Sequence, residues 1–146
     1  MATVFDVAEY ILTKTGTIST MKLQKLVYYS QAWNLAWNEK PIFKEEIEAW
    51  ANGPVVRALY DVHRGEYEVS PGTVGGDPEK LNRGQKHTIN SVIKYYGKKT
   101  PQWLSDLTHS EQPWKRARKG IADGERGSKI ISKEWMLNYY SSLKDE

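Results

Sequence analysis

Apolar residues recur along most of this chain at the spacing of a helix face, so most of the predicted elements are helices. A first helix is predicted between Thr3 and Gly16, because Thr3 and Asp6 supply the two halves of a capping-box-like start and glycine ends helices. A second is predicted from Met21 to Trp37, with apolar and aromatic residues nearly all round it. Such a helix has neighbours on several sides, so it is expected to be the central helix of the core.

The segment IEAWANGPVVRALY, from Ile47 to Tyr60, contains unusually strong local signals for its backbone conformation. An extended piece is expected to lead to Trp50. Gly53 can adopt backbone angles that are closed to other residues, and the fixed φ of Pro54 suits the first position of a helix. A rigid turn at Gly53 is therefore predicted, followed by a helix that begins at Pro54 and ends at Gly65.

Further helices are predicted in the second half of the chain, each from its own start signal. The signals are an Asn–Gln capping box, a Thr–Pro pair, a proline after a polar run and a serine cap. They lie at Asn82, Thr100, Pro113 and Ser132.

Short extended pieces add a minor β element to this pattern. Tyr67 to Val69 is predicted to be extended, and Ile130 with Ile131 is expected to pair with one of the earlier extended pieces. The stretch SPGTVGGDP between them should be an exposed loop. The fold class predicted for residues 1–146 is a mainly α, compact, single-domain bundle of six to seven helices with a minor short β element. Lys144 to Glu146 are expected to fray.

Composition narrows the classes of protein. The 146 residues include no cysteine, which excludes disulfides, thiol catalysis and cysteine-ligated zinc. No uninterrupted apolar run approaches the length that spans a bilayer, and the first residues lack the order of a signal peptide. The protein is therefore expected to be cytoplasmic, without a membrane partner.

Charge and aromatic content favour a binding protein. The net charge is +3, and basic residues are concentrated between Lys115 and Lys133, around a glycine-rich stretch that is expected to be a mobile loop. The chain holds 6 Trp and 9 Tyr but only 2 Phe. Trp and Tyr join a large apolar body to a polar edge, which is typical of binding surfaces and of core margins.

The sequence offers little for an enzyme. Asp106, His109 and Ser110 are the residue types of a hydrolase triad, but the strand-borne nucleophile turn of such enzymes is missing. The histidines lie at 63, 87 and 109, without the spacing of a metal site, and no phosphate-binding glycine motif is present. No catalytic residue, cofactor or metal is predicted. His109 is left with two interpretations, a backbone-bonded residue beside a core Trp114 or a residue that faces a partner.

Three segments resemble the Panacea domain family, which includes SocA-like and GepA-like proteins of bacteria and prophages. They are MKLQKLVYYSQAWNLAWNEKPIF (Met21 to Phe43), IEAWANGPVV, and LTHSEQPWKRAR (Leu107 to Arg118). The resemblance implies a small, mostly helical antitoxin of a toxin-antitoxin system that neutralises a cognate toxin protein by binding it. In SocA-like members it also implies delivery of the toxin to a protease.

The resemblance and the aromatic and basic residues together give a set of candidate partner-binding positions. Lys25 could equally be a packing residue, and Trp50 and Trp114 could be plain core. The alternative function is a nucleic-acid-binding or regulatory protein of a prophage or mobile element, which a basic surface would also permit. The candidates are Lys25, Trp50, Asn52, Gly53, Pro54, His109, Trp114, Arg116 and Arg118.

Overall fold

The computed structural model describes residues 1–143, and within them the chain is mainly α. The helices are α1 (Val4–Thr15), α2 (Thr20–Asn38), α3 (Arg57–His63), α4 (Arg83–Tyr96), α5 (Pro101–Ser110), α6 (Gln112–Ala117) and α7 (Lys133–Leu143). The strands are β1 (Ile18–Ser19), β2 (Ile47–Trp50), β3 (Gly53–Val56) and β4 (Glu68–Val69). The predicted fold class, a mainly α bundle of six to seven helices with a minor β element, is confirmed. The expected fraying of residues 144–146 lies outside the described residues.

Helix α2 is the centre of the core, as its sequence predicts. It packs against α1, α4, α5 and α7 and against the hairpin of β2 and β3. Because neighbours lie on several sides, many of its polar side chains are buried, and most of these are hydrogen-bonded inside the protein. Gln31, for example, accepts hydrogen bonds from the backbone N–H groups of Ile42 and Phe43 and donates to the Phe43 carbonyl.

Local sequence signals set most helix starts. The capping boxes at Thr3 with Asp6 and at Asn82 with Gln85 both form. A cap of this kind satisfies backbone N–H groups that have no partner within the helix, and is worth about 1 kcal/mol. Single side-chain caps begin α2, α5 and α7, at Ser19, Thr100 and Ser132.

The prediction that a helix begins at Pro54 is wrong. Gly53 has φ 127° and Pro54 lies in β3, paired with Ala49, so Ala51 and Asn52 form the two-residue turn of a hairpin. Ala49 donates its N–H to Lys129 on the other side, so this pair exchanges no ladder bond and the missing N–H of proline costs nothing.

Strand β3 extends as far as Val56 because a side chain of α2 holds the Val56 backbone in an extended conformation. The Gln24 side chain accepts from the N–H of Val56 at 2.9 Å and donates to its carbonyl at 3.3 Å. Both backbone groups of Val56 are therefore occupied by a side chain, and α3 begins only at Arg57.

The other predicted extended pieces also pair. Val69 of β4 lies opposite Ile18 of β1, and Ile130 forms an isolated bridge with Glu48 of β2. These pairings confirm the expected extended structure near residues 67–69 and the expected bridge from Ile130 to an earlier strand. They tie the loop segments to the helical core.

The loop after β4 is more firmly held than its composition predicts. Val74 is buried, and the Glu9 and Asp6 carboxylates of α1 accept from the backbone N–H groups of Gly72 and Asp77. Gly76 lies so close to α1 that an added Cβ would overlap the Phe5 carbonyl oxygen. The loop is exposed on one side only, and its position requires glycine at 76.

A buried polar cluster lies at the junction of α5 and α6. Glu111 accepts hydrogen bonds from the hydroxyls of Tyr29 and Tyr140, each at 2.7 Å, and the Tyr28 hydroxyl lies 3.0 Å from that of Tyr140. Burial raises the pKa of Glu111 to about 7, although the two tyrosine donors act to lower it.

Candidate functional site

Two of the segments that carry the family resemblance meet at the tip of the hairpin. Side chains from α5, α6 and the residue after α6 donate hydrogen bonds to three backbone carbonyls of residues 49–52, which braces the turn against both helices. The bonds run from the Ser105 hydroxyl to Asn52 (2.8 Å), from Trp114 Nε1 to Trp50 (2.8 Å) and from Arg118 Nη1 to Ala49 (3.2 Å).

Lys25 lies directly beneath this braced turn. Its side chain is 1% exposed, and a Cβ added to Gly53 would stand 2.5 Å from Lys25 Cε and 2.9 Å from Nζ. Burial lowers the pKa of Lys25 to about 8. Neither ion pair formed within residues 1–143 includes it. The packing at Gly53 and its positive φ both require glycine there.

His109 stands behind the turn, stacked on Trp114 with ring centroids 4.0 Å apart and an interplanar angle of 19°. Burial lowers the pKa of His109, and the charge of Lys25 lowers it further. Its Nε2 is buried without a hydrogen-bond partner among residues 1–143. Trp114 is buried and bonded to the turn, and His109, stacked on it, is half-buried.

Trp50 lies at the front of the hairpin and is half-buried. Its ring meets the edge of Tyr60 at 4.8 Å, its Nε1 donates to Glu48 at 2.9 Å, and the Arg57 guanidinium lies over it at 5.2 Å. Arg57 also makes two hydrogen bonds of 3.0 Å to the Glu48 carboxylate. These contacts fix the orientation of the Trp50 ring, which remains partly exposed.

These side chains line a cleft of about 770 Å³ between the hairpin, the N-terminal turn of α2, α3 and residues 126–128. The lining includes four basic residues and no Asp or Glu among the described residues. We call it the Lys25 cleft, and its principal lining residues are Gln24, Lys25, Trp50, Arg57, Tyr60 and Arg126. A volume of this size is within the range of ligand pockets, and its charge suits an acidic ligand.

The structure brings only part of the predicted set to this cleft. Lys25, Trp50 and Asn52 line it, whereas Arg116 is exposed elsewhere, with its guanidinium 4.6 Å from the ring centre of Trp135. The remaining candidates support the turn from within: Gly53, Pro54, His109, Trp114 and Arg118.

Sequence reasoning missed four of the principal lining residues, Gln24, Arg57, Tyr60 and Arg126. The dipeptide Asn52–Gly53 is a hairpin signal that would have placed Arg57 on the returning side, near Glu48. The turn in the structure falls one residue earlier, at Ala51 and Asn52, and sets Val55 opposite Glu48. No sequence signal could have placed Arg126, which reaches the cleft from the distant glycine-rich stretch.

Fold and site together define a small, mainly α protein in which helices brace a hairpin over a basic cleft. A family model described as "Antitoxin SocA-like, Panacea domain" matches residues 23–115, more than half of the chain. The chain belongs to this SocA-like, Panacea-domain antitoxin family, as the resemblance indicates. No curated protein and no solved structure matched the chain.

Two further findings concern the described part of the chain. Within residues 1–143, none of the helices combines the length and the hydropathy that crossing a bilayer requires. In the same residues, no three His, Asp or Glu side chains are grouped so that they could hold a metal ion.

Proposed function

We propose that this chain neutralises a cognate toxin protein by binding it directly, and that it acts by binding alone, without catalysing a reaction. Membership of the SocA-like antitoxin family is the observation that carries the proposal. The structure supports it with a rigid, accessible cleft whose edges are rich in the residue types that dominate protein interfaces.

The mouth of the Lys25 cleft is the surface that we assign to the toxin. Trp, Tyr and Arg supply most hot spots of protein interfaces, and Trp50, Arg57, Tyr60 and Arg126 lie together here. Trp50 and Tyr60 hold each other in place, so little side-chain entropy would be lost on binding. Because the lining is basic, the complementary toxin surface should be acidic.

Co-expression with the product of the neighbouring gene tests the proposal. Growth is scored with and without this chain, and the two proteins are then tested for co-purification. We expect rescue of growth and a stable complex with the wild type. The proposal is overturned if the neighbour is harmless alone, or if growth is rescued without any association.

Matched charge reversals locate the interface. Arg126→Glu changes the cleft mouth, whereas Arg83→Glu makes the same change at an exposed position of α4. We expect Arg126→Glu to weaken the complex and Arg83→Glu to leave it unchanged. Equal effects of the two variants would remove the cleft from the interface.

The amount of toxin in rescued cells distinguishes two mechanisms of neutralisation. Simple capping leaves the toxin level unchanged and yields a complex, whereas delivery to a protease lowers the level in cells that hold the protease. A nucleic-acid partner would instead give binding to duplex DNA that falls steeply with salt.

A further inference from the structure

We propose that the Lys25 cleft is a binding site for one oxyanion, a carboxylate or a phosphate group, which pairs with the Lys25 amine at the floor of the cleft. This inference does not rest on the antitoxin function, because it concerns the isolated chain. The three observations that carry it are a buried lysine without an ion-pair partner among residues 1–143, its place in the lining of an open cleft and the charge of the cleft walls.

The amine is buried without a counter-ion. Lys25 is 1% exposed, and both ion pairs of residues 1–143 lie elsewhere, between Arg57 and Glu48 and between Lys133 and Glu46. Burying an unpaired ammonium is costly, so such groups are normally paired or hydrogen-bonded. Packing alone would be served better by leucine or methionine. An anion that enters the cleft would supply the counter-charge that residues 1–143 do not provide.

The position of the amine allows that approach. Lys25 is part of the cleft lining, so the buried side chain reaches the floor of an open cavity of about 770 Å³. Gly53 lets the hairpin lie close over the amine, since any side chain there would meet Nζ within 2.9 Å. The floor therefore presents a lysine with no Asp or Glu among the described lining residues beside it.

The side walls of the cleft carry positive charge, as the floor does. Arg64 and Arg126 also line the cleft, and neither belongs to an ion pair within the described residues. Arg57 is neutralised by Glu48, which lies outside the lining. Like charges converging on a low-dielectric cleft repel one another, and an entering anion relieves that repulsion. The same field attracts anions and disfavours cations.

The first experiment follows the Lys25 amine itself. The isolated full-length chain, labelled at the lysine side chains, is titrated with base by NMR in the presence of chloride, inorganic phosphate or acetate at one ionic strength. A bound anion favours the ammonium, so phosphate or acetate should raise the titration midpoint of Lys25 by about one unit or more, with saturation. An unchanged midpoint with both anions overturns the proposal.

The second experiment follows stability and uses matched variants. Phosphate or acetate should raise the unfolding temperature of the wild type and of Lys94→Met, an exposed control on α4, but not that of Lys25→Met. If Lys25→Met shows the same rise, the anion binds elsewhere and the proposal is wrong. A Lys25→Met protein that is insensitive to both anions but still neutralises the toxin would separate this inference from the proposed function.

The two probes also distinguish the source of the group. Saturation by phosphate alone identifies a phosphate-bearing small molecule, which a phosphate ester should then displace. Saturation by acetate identifies a carboxylate, and a short Asp- or Glu-containing peptide should then compete with it. Either result supports the site and fixes the chemistry of its ligand.

Discussion

Glu111 should make the protein lose stability as the pH rises from about 5 to 8. Its carboxyl is 6% exposed and is held by the hydroxyls of Tyr29 and Tyr140. In the unfolded chain this carboxyl would titrate near 4.5, whereas burial raises its pKa to about 7 in the folded protein. Between these two values the folded state binds more protons than the unfolded state, so the free energy of unfolding falls as the pH rises.

The difference between the two pKa values sets the size of the effect. Each pKa unit corresponds to about 1.4 kcal/mol, so the difference amounts to about 3 kcal/mol, fully present below pH 4.5 and lost above pH 7. Other groups act in the opposite direction in part of this range. Burial lowers the pKa values of His63 and His109, so their neutral forms stabilise the fold as the pH rises through 6.5.

A comparison of variants isolates the Glu111 contribution. Urea unfolding, followed by tryptophan fluorescence, gives the free energy of unfolding at pH 5 and pH 8 for the wild type, Glu111→Gln and Glu134→Gln. Glutamine accepts the same tyrosine hydrogen bonds but does not titrate, and Glu134 is an exposed residue of α7. Relative to Glu111→Gln, the wild type should lose about 2 to 3 kcal/mol between the two pH values, and Glu134→Gln should follow the wild type. Parallel pH profiles for the wild type and Glu111→Gln would refute the reasoning.

Three further predictions concern close packing and the braced turn, and each is measured by urea unfolding. Gly76→Ala should destabilise the fold by about 2 kcal/mol or more, because its methyl group would overlap the Phe5 carbonyl; an equal stability would show that the loop can move away at no cost. Arg118→Lys should cost about 1 to 3 kcal/mol, since one ammonium cannot reach the three carbonyls that the guanidinium serves. Gly53→Ala should cost more in the wild type than in a Lys25→Ala background, which removes the clash but not the strain of positive φ; equal costs would contradict the observed contact.

Sequence signals predicted the fold correctly where the start or end of a helix depends on residues adjacent in the chain. The capping boxes at Thr3 and Asn82 and the all-round apolar pattern of α2 are of this kind. Pro54 misled the prediction because a fixed φ near −65° suits a helix start and an extended strand almost equally. The decision between them is made by Gln24, 32 residues away from Val56, whose backbone it holds extended.

The geometry of the candidate site depends even more on contacts between residues that are far apart in the sequence. The bond from Arg118 to the Ala49 carbonyl spans 69 residues, so no local pattern could show that this arginine supports the turn. Lys25 was undecided for a related reason: a lysine in an early turn of a helix usually reaches solvent along an apolar surface. Only the hairpin folded over it encloses the amine, and the hairpin was the element that sequence alone did not predict.

The brace on the hairpin has a consequence for how the surface can change. Its three hydrogen bonds end on main-chain carbonyls, which are the same whatever residue occupies the position. Replacing Ala51 or Asn52 therefore alters what the cleft presents to a partner without removing a bond that holds the tip. Gly53 is the exception, because its place over Lys25 allows no side chain. The backbone of the turn is thus held independently of the side chains at Ala51 and Asn52, so new binding specificities can be selected or engineered there without changing the backbone.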